Sequence, residues 1–342
     1  MWRFSSTLIC VLLFYFVCLS CNSLQKTYNR AVVDRQISPD ALTYFKTAFD
    51  QIERNTYYRS DIDFSTILHT AVAKIENART YEDTYKGIEY VISELKDNHS
   101  FFRRPSKNLI QALSDTVGSI PFETAVLDEK YGFINLKSYN SIDMSDQHQI
   151  ADSLYRTLKR LGTQDVKGLI IDFRVMEGGT ALPFLCGFAP LINKDLLLGY
   201  VNNKGHKTQI VRYKNGIYHK DGRSTSRLSY LTEYADLSIS SLPIAIITGK
   251  YTASSGEAIL ISFLGLPNVR TFGHPTFGVP TGKSSIFLAD SAFISLTTSA
   301  TYDRNLNIYD DPIHPDVLIS DERDSTYAIR LAKAWIDAQI KK

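Results

Sequence analysis

The feature that most constrains the fold is an alternation, after Pro105, of short apolar runs with amphipathic stretches. Gly168-Leu169-Ile170-Ile171-Asp172 and Ile244-Ala245-Ile246-Ile247 are too short for helices and too evenly apolar for half-exposed strands. A strand apolar on both sides must be covered on both faces, and βαβ crossovers place helices there. Further β-rich runs occur at Tyr131–Leu136, Leu198–Val201, Gln209–Val211, Ile286–Leu288 and Phe293–Leu296. Helical spacing separates them, first in Ile150, Leu154, Leu158 and Leu161, then across Ala181–Ile192 and Ala258–Leu264. A last helix is expected over Tyr327–Ile340. The fold class is therefore α/β with a mostly parallel sheet. The basic, serine-rich stretch Lys204–Arg227 reads as a surface hairpin and loop.

Upstream the pattern is helical. Leu42, Phe45, Phe49 and Ile52 share a face, as do Leu68, Ala71, Val72 and Ile75. A third face carries Tyr85, Ile88, Ile92 and Leu95, and His99 continues it to the helix end. The expected division is a leader over 1–20, a tether over 21–38, a small helical domain over 39–110 and the α/β core over 111–342. Apolar residues at 44% and charged residues at 22% exclude disorder along most of the chain. A formal net charge of +2 argues against nucleic-acid binding by bulk charge. Four cysteines exclude a disulfide scaffold.

The leader follows from Arg3 and the uncharged, mostly apolar run Thr7–Ser20, an n-region and h-region pattern too short for a membrane span. Cys18-Leu19-Ser20-Cys21 resembles a bacterial lipobox with Cys21 as lipid acceptor; cleavage without lipid is the alternative. Export to a bacterial periplasm, outer membrane or cell surface is expected, with attachment to the membrane through the lipid.

Four segments carry candidate chemistry. Strand Ile244–Ile247 leads through Thr248–Ala253 into a helix, with Ser254 at its start. A hydroxyl there is either a nucleophile beside unpaired helix amides or an N-cap, with Glu257 completing a capping box. Asp172-Phe173-Arg174 precedes Gly178-Gly179, whose amides can face a substrate carbonyl unless they only turn the chain. His99 at a helix C-terminus would be favoured as imidazolium and able to act as a base, or would be a packing residue. Asp310-Asp311-Pro312 with His314-Pro315-Asp316 reads as a turn, and no zinc-like ligand spacing accompanies it. No metal and no cofactor is expected.

Together these segments resemble the C-terminal processing (tail-specific) serine peptidase family, in its tricorn-core and interphotoreceptor-retinoid-binding-protein-like branch. Thr252-Ala253-Ser254-Ser255-Gly256-Glu257 is similar to the nucleophile motif, Asp172-Phe173-Arg174 with Gly178-Gly179 to the strand-end motif, and Thr276-Phe277-Gly278 to the loop after the next strand. Pro315-Asp316-Val317 and Leu95–Ser100 resemble the closing and histidine motifs. The resemblance implies a crotonase/ClpP-like βαβ spiral core with Ser254 as nucleophile, His99 as base, and an oxyanion held by Gly179 and Ser255. It implies assistance from Asp310, or alternatively Asp311, where relatives carry a glutamate. Many members place a base lysine directly after the Thr-Phe-Gly triplet; Val279 stands there, and Lys283 is the nearest lysine downstream. Asn98, Pro312 and Val175-Met176-Glu177 also depart from the pattern. The twenty-eight residues between Phe102 and Tyr131 are too few for the PDZ domain that many members insert. The implied partner is a peptide or polypeptide substrate, with no nucleic acid and no assigned oligomeric state. The alternative is a non-catalytic binding lipoprotein on the same fold.

Overall fold

The structure is a computed structural model that describes Tyr28, Val32 and residues 35–106, 119–319 and 326–341. The leader, Cys21, most of the 21–38 tether and the expected 110/111 boundary lie outside the described residues.

Helices α1 (Pro39–Asn55), α2 (Phe64–Lys74) and α3 (Tyr85–Glu94) come first, followed by short strand β1 (Phe101–Arg103). Hairpin β2 (Phe122–Leu127) and β3 (Tyr131–Leu136) leads through α4 (Met144–Gly162) to β4 (Gly168–Asp172) and α5 (Leu182–Ile192). Four strands follow: β5 (Leu196–Asn202), β6 (Lys207–Tyr213), β7 (Gly216–Asp221) and β8 (Ser224–Tyr230). Next are β9 (Ile244–Thr248), α6 (Ser255–Ile261) and β10 (Val269–Gly273), then β11 (Thr281–Phe287) and β12 (Phe293–Tyr302). Short strands β13 (Ile308–Tyr309) and β14 (Val317–Leu318) precede α7 (Tyr327–Ile340).

The chain divides into two compact units. The first runs to Ser106 and takes back Lys283–Thr297; the second holds the rest. In the first, Pro39 opens α1 and the Ser38 hydroxyl caps it by accepting from the Ala41 amide at 3.3 Å. Asp63 caps α2 in the same way, accepting from the Ser65 and Thr66 amides. Phe45, Phe49 and Ile52 of α1 pack on Leu68 and Val72 of α2 and Ile88 and Val91 of α3. Leu288, Ile294 and Leu296 complete this core, and β1 pairs antiparallel with Phe293–Ser295. Those strand residues read in sequence as part of the α/β core; their apolar faces instead close the helical bundle.

The second unit contains the parallel sheet, in the order β14-β10-β9-β4-β3-β2, with only β2 antiparallel to its neighbour. All five residues of β4 and all five of β9 are buried. Their side chains alternate between two cores. Leu169, Ile171, Ile244 and Ile246 join Leu154 and Leu158 of α4 and Leu185 and Phe188 of α5. Ile170, Ala245 and Ile247 join Ala328, Ala332 and Ile336 of α7. Beyond the mostly parallel sheet, the fold has a second, antiparallel one. β5 to β8 form a meander in which Gly199–Asn202 pairs with Ser299–Tyr302. The surface excursion at Lys204–Arg227 is regular strand over most of its length. Ile210 and Ile217 face the core, while Lys207, Gln209 and Lys220 lie on the opposite face.

Candidate active site

Parallel strands deliver their following loops to one edge of a sheet, so the segments after adjacent β4 and β9 meet. Phe173 donates its amide to Ile247 O at 2.8 Å, Thr252 Oγ1 donates to Phe173 O at 2.9 Å, and the Ala253 amide donates to Met176 O at 3.0 Å. The Phe277 amide donates to Thr252 O at 2.9 Å, and the Thr276 amide to Ile313 O at 3.1 Å. The strand-end, nucleophile and Thr-Phe-Gly segments are thus joined by hydrogen bonds inside one unit, and Ile313, two residues before the closing motif, is tied to the last of them.

Ser254 precedes α6 with φ 52° and ψ −111°, a conformation that costs a non-glycine residue roughly 1–3 kcal/mol. Its amide is held by Glu257 Oε2 at 2.8 Å, the acidic half of the capping arrangement read in sequence. Glu257 does more than cap. Its fully buried carboxylate also accepts from Thr276 Oγ1 at 2.5 Å, the Gly278 amide at 2.9 Å and the Val279 amide at 3.0 Å. Burial raises its pKa, and these four donors work against that rise by favouring the charged form. The Thr-Phe-Gly loop is therefore fastened to the serine turn by this carboxylate as well as by the Phe277 amide on Thr252 O. Sequence reasoning missed this loop contact; a glutamate beside a small-residue turn was the available signal.

The Gly178-Gly179 turn lies beside the serine. A Cβ on Gly178 would come within 3.1 Å of Ser254 Cβ and 3.6 Å of its Oγ. Gly179, at φ 110°, presses against Tyr139, where an added Cβ would stand 1.9 Å from the carbonyl oxygen. Tyr139 donates to Gly178 O at 3.4 Å and accepts from the Thr180 amide at 2.7 Å. That parallel bridge uses the groups flanking Gly179 and turns its own N–H the other way. Neither the Gly179 nor the Ser255 amide donates a hydrogen bond among the described residues. Ser255 Oγ is also buried without a partner there.

Asp172 is engaged by Arg174, whose Nη2 lies at 2.6 Å and whose Nε reaches both carboxylate oxygens at 3.0 and 3.1 Å. Asp316 accepts from the Thr271 amide at 2.8 Å and hydroxyl at 2.9 Å, and so pins β14 to β10. Asp310 is half-buried in the bend after β13, and Asp311 is exposed next to it.

His99 belongs to the first unit and does not sit on a helix end. α3 stops at Glu94, and Lys96 and Asn98 take positive φ, which reverses the chain before β1. The Asp97 carboxylate holds this reversal by accepting from the His99 and Ser100 amides at 3.1 and 2.8 Å and from Ser100 Oγ at 2.5 Å. The expectation that a helix dipole favours the imidazolium is therefore overturned. Burial, reinforced by the positive charge of Lys283 and opposed by Asp97, pushes the His99 pKa down to about 4. Lys283 lies in the same unit, with its ammonium 5.2 Å over the Phe101 ring and its own pKa lowered by burial of that end. The two base candidates of the sequence reading are thus electrostatic neighbours.

A strained serine beside two amides that donate to nothing among the described residues, at one edge of a parallel α/β sheet, is the geometry on which the family comparison bears. The chain belongs to peptidase family S41, whose sequence profile matches residues 130–319. It is 25% identical over 309 residues to the nisin-resistance protein of Lactococcus lactis subsp. lactis, covering 89% of this chain and 90% of that one. A solved lipoprotein from Streptococcus agalactiae superposes with a TM-score of 0.71 at 25% identity, covering 89% of this chain and 98% of that one. The photosystem II D1 C-terminal processing protease shares the fold, with a TM-score of 0.57 at 15% identity over 87% and 97% of the two chains.

Proposed function

We propose that this chain is an exported serine peptidase in which Ser254 is the nucleophile, His99 the base and Asp310 an assisting carboxylate. The observation that carries the reading is the strained Ser254 at the start of α6 with the Gly178-Gly179 turn against it, where the Gly179 and Ser255 amides donate to nothing among the described residues. Ser254 Oγ forms a bond to a peptide carbonyl carbon as its proton passes to the His99 imidazole. The carbonyl oxygen becomes an oxyanion held by the two amides. The tetrahedral centre collapses, the C–N bond breaks and His99 returns the proton to the departing amine. Water then attacks the acyl ester by the same route and frees Ser254. A lowered His99 pKa keeps the imidazole neutral and open to a proton at ordinary pH, and the same burial weakens it as a base until a charged reaction centre forms beside it. Asp310 is the half-buried member of the acidic pair and is preferred over Asp311 on that ground. Lys283 acts on the charge state of His99.

Export rests on the leader pattern of residues 1–20 and on the Cys21 lipobox resemblance. The likeness to a streptococcal lipoprotein supports a cell-envelope location. The Lactococcus relative is named for nisin resistance, which either cleavage or capture could confer, so a binding role on the same fold is the second reading. Fluorophosphonate labelling of the chain from Ser23 separates the two. Wild type is expected to label, Ser254→Ala not at all, and His99→Ala about a hundredfold or more slowly. Equal labelling of all three would discard the mechanism, and a folded wild type that never labels would favour binding.

A further inference from the structure

The peptidase reading leaves the meander β6–β8 without a role, and its charge is unlike that of the rest of the molecule. Residues 204–227 hold seven lysines and arginines against one acid, Asp221, whereas the whole chain carries only +2. The remainder is therefore net acidic. Alternation places Lys207, Gln209, Val211 and Tyr213 of β6 on the face turned away from the buried Ile210. The register sets Lys220 of β7 between Gln209 and Thr225, and Tyr218 between Val211 and Arg227. Lys204, Lys214 and Arg223 crown the adjoining turns.

All six of Lys204, Lys207, Lys214, Lys220, Arg223 and Arg227 are exposed, and none has an acidic partner among the described residues. Asp221 pairs with His206 at 2.8 Å, and Asp195, an exposed acid on the rim of the cleft, reaches Arg212 at 3.9 Å. Tyrosines interleave with the cations. Tyr213 is 58% exposed, Arg227 lies 4.6 Å over the Tyr230 ring, and Tyr213, Tyr218 and Tyr234 line a shallow cleft of about 610 Å³ with Val211, Lys220 and Thr225.

We propose that this face docks on an anionic phospholipid bilayer. Lysine ammoniums spread singly across a sheet face suit a diffuse array of phosphates better than one carboxylate, which a clustered arginine fork would grip. Exposed tyrosines among them match the headgroup layer, where amphipathic rings sit. The lipobox-like cysteine would bring the chain to that surface, and the cationic face would then orient it there.

Flotation of the chain from Ser23, which retains every described residue, with phosphatidylcholine vesicles tests the proposal. Binding is expected only when phosphatidylglycerol is included, and it should vanish near about 1 M salt, where charges are screened beyond ~3 Å. Each of Lys207→Gln, Lys220→Gln and Arg227→Gln should weaken it about fivefold, and the triple variant should abolish it. Fluorophosphonate labelling of the triple variant should match wild type, so this test stands or fails independently of the peptidase reading. Equal binding to neutral vesicles, or retained binding by the triple variant, would overturn the proposal. Binding to soluble polyphosphate without binding to anionic vesicles would overturn it too, in favour of a soluble polyanion.

Discussion

His99 and Glu257 are both buried titratable groups, and burial moves their proton affinities in opposite directions. Neutral imidazole is the favoured form of His99, so acid costs the folded state more than the unfolded one. Between its folded value of about 4 and the unfolded value near ~6.5, the unfolded chain binds more protons. The stability that His99 contributes is complete above that window and is lost as pH falls through it, with a ceiling of order 3 kcal/mol. Glu257 runs the other way: its raised pKa means that it favours the fold at low pH and loses that contribution as pH rises. The two overlap, so the clean measurement is a difference. In denaturant titrations across the window, the stability of wild type minus His99→Gln should grow as pH rises. A difference that stays flat would mean that His99 is not held neutral. Lys283→Met removes a positive charge acting on His99, so the acid limb of fluorophosphonate labelling should move to higher pH.

At the scale of elements, the serine turn and the Thr276–Val279 loop share one buried carboxylate as their acceptor. Glu257→Ala would leave the Ser254, Gly278 and Val279 amides and the Thr276 hydroxyl without their acceptor. A loss of roughly 3–5 kcal/mol is expected, because each buried orphan costs about 1–3 kcal/mol and some regain partners by relaxing. Glu257→Gln keeps the shape and one acceptor oxygen, so it should lose less stability while still slowing Ser254 labelling. Identical melting of wild type and the alanine variant would remove the carboxylate from this role. The strands β4 and β9 were legible because a doubly buried strand leaves an unbroken apolar signature. Strand β8 was not, since Ser224–Arg227 is wholly exposed and its polar sequence resembles a loop. β14 is two residues long, and its pairing depends on Asp316 reaching Thr271, a contact between residues forty-five apart.

For the whole molecule, cleavage before Cys21 together with a lipid on its thiol would leave Cys186 as the only unmodified thiol. It is buried within α5, and burial pushes its pKa up to about 12. Thiol reagents should therefore ignore the native chain and modify it at the rate at which the larger unit opens. That makes the single cysteine a reporter of global unfolding: prompt modification without denaturant would show that α5 is not packed as described.

The sequence by itself determined the α/β class, the helical segment before it and the small-residue turn carrying Ser254. Periodicity and local turn chemistry act over a few residues and need no distant partner. It could not decide that strand residues after Lys283 complete the helical bundle, that His99 is buried beside a lysine, or that Glu257 holds a loop twenty positions away. Those are consequences of desolvation and of hydrogen bonds between segments far apart in the chain, which exist only once the tertiary structure has brought them together.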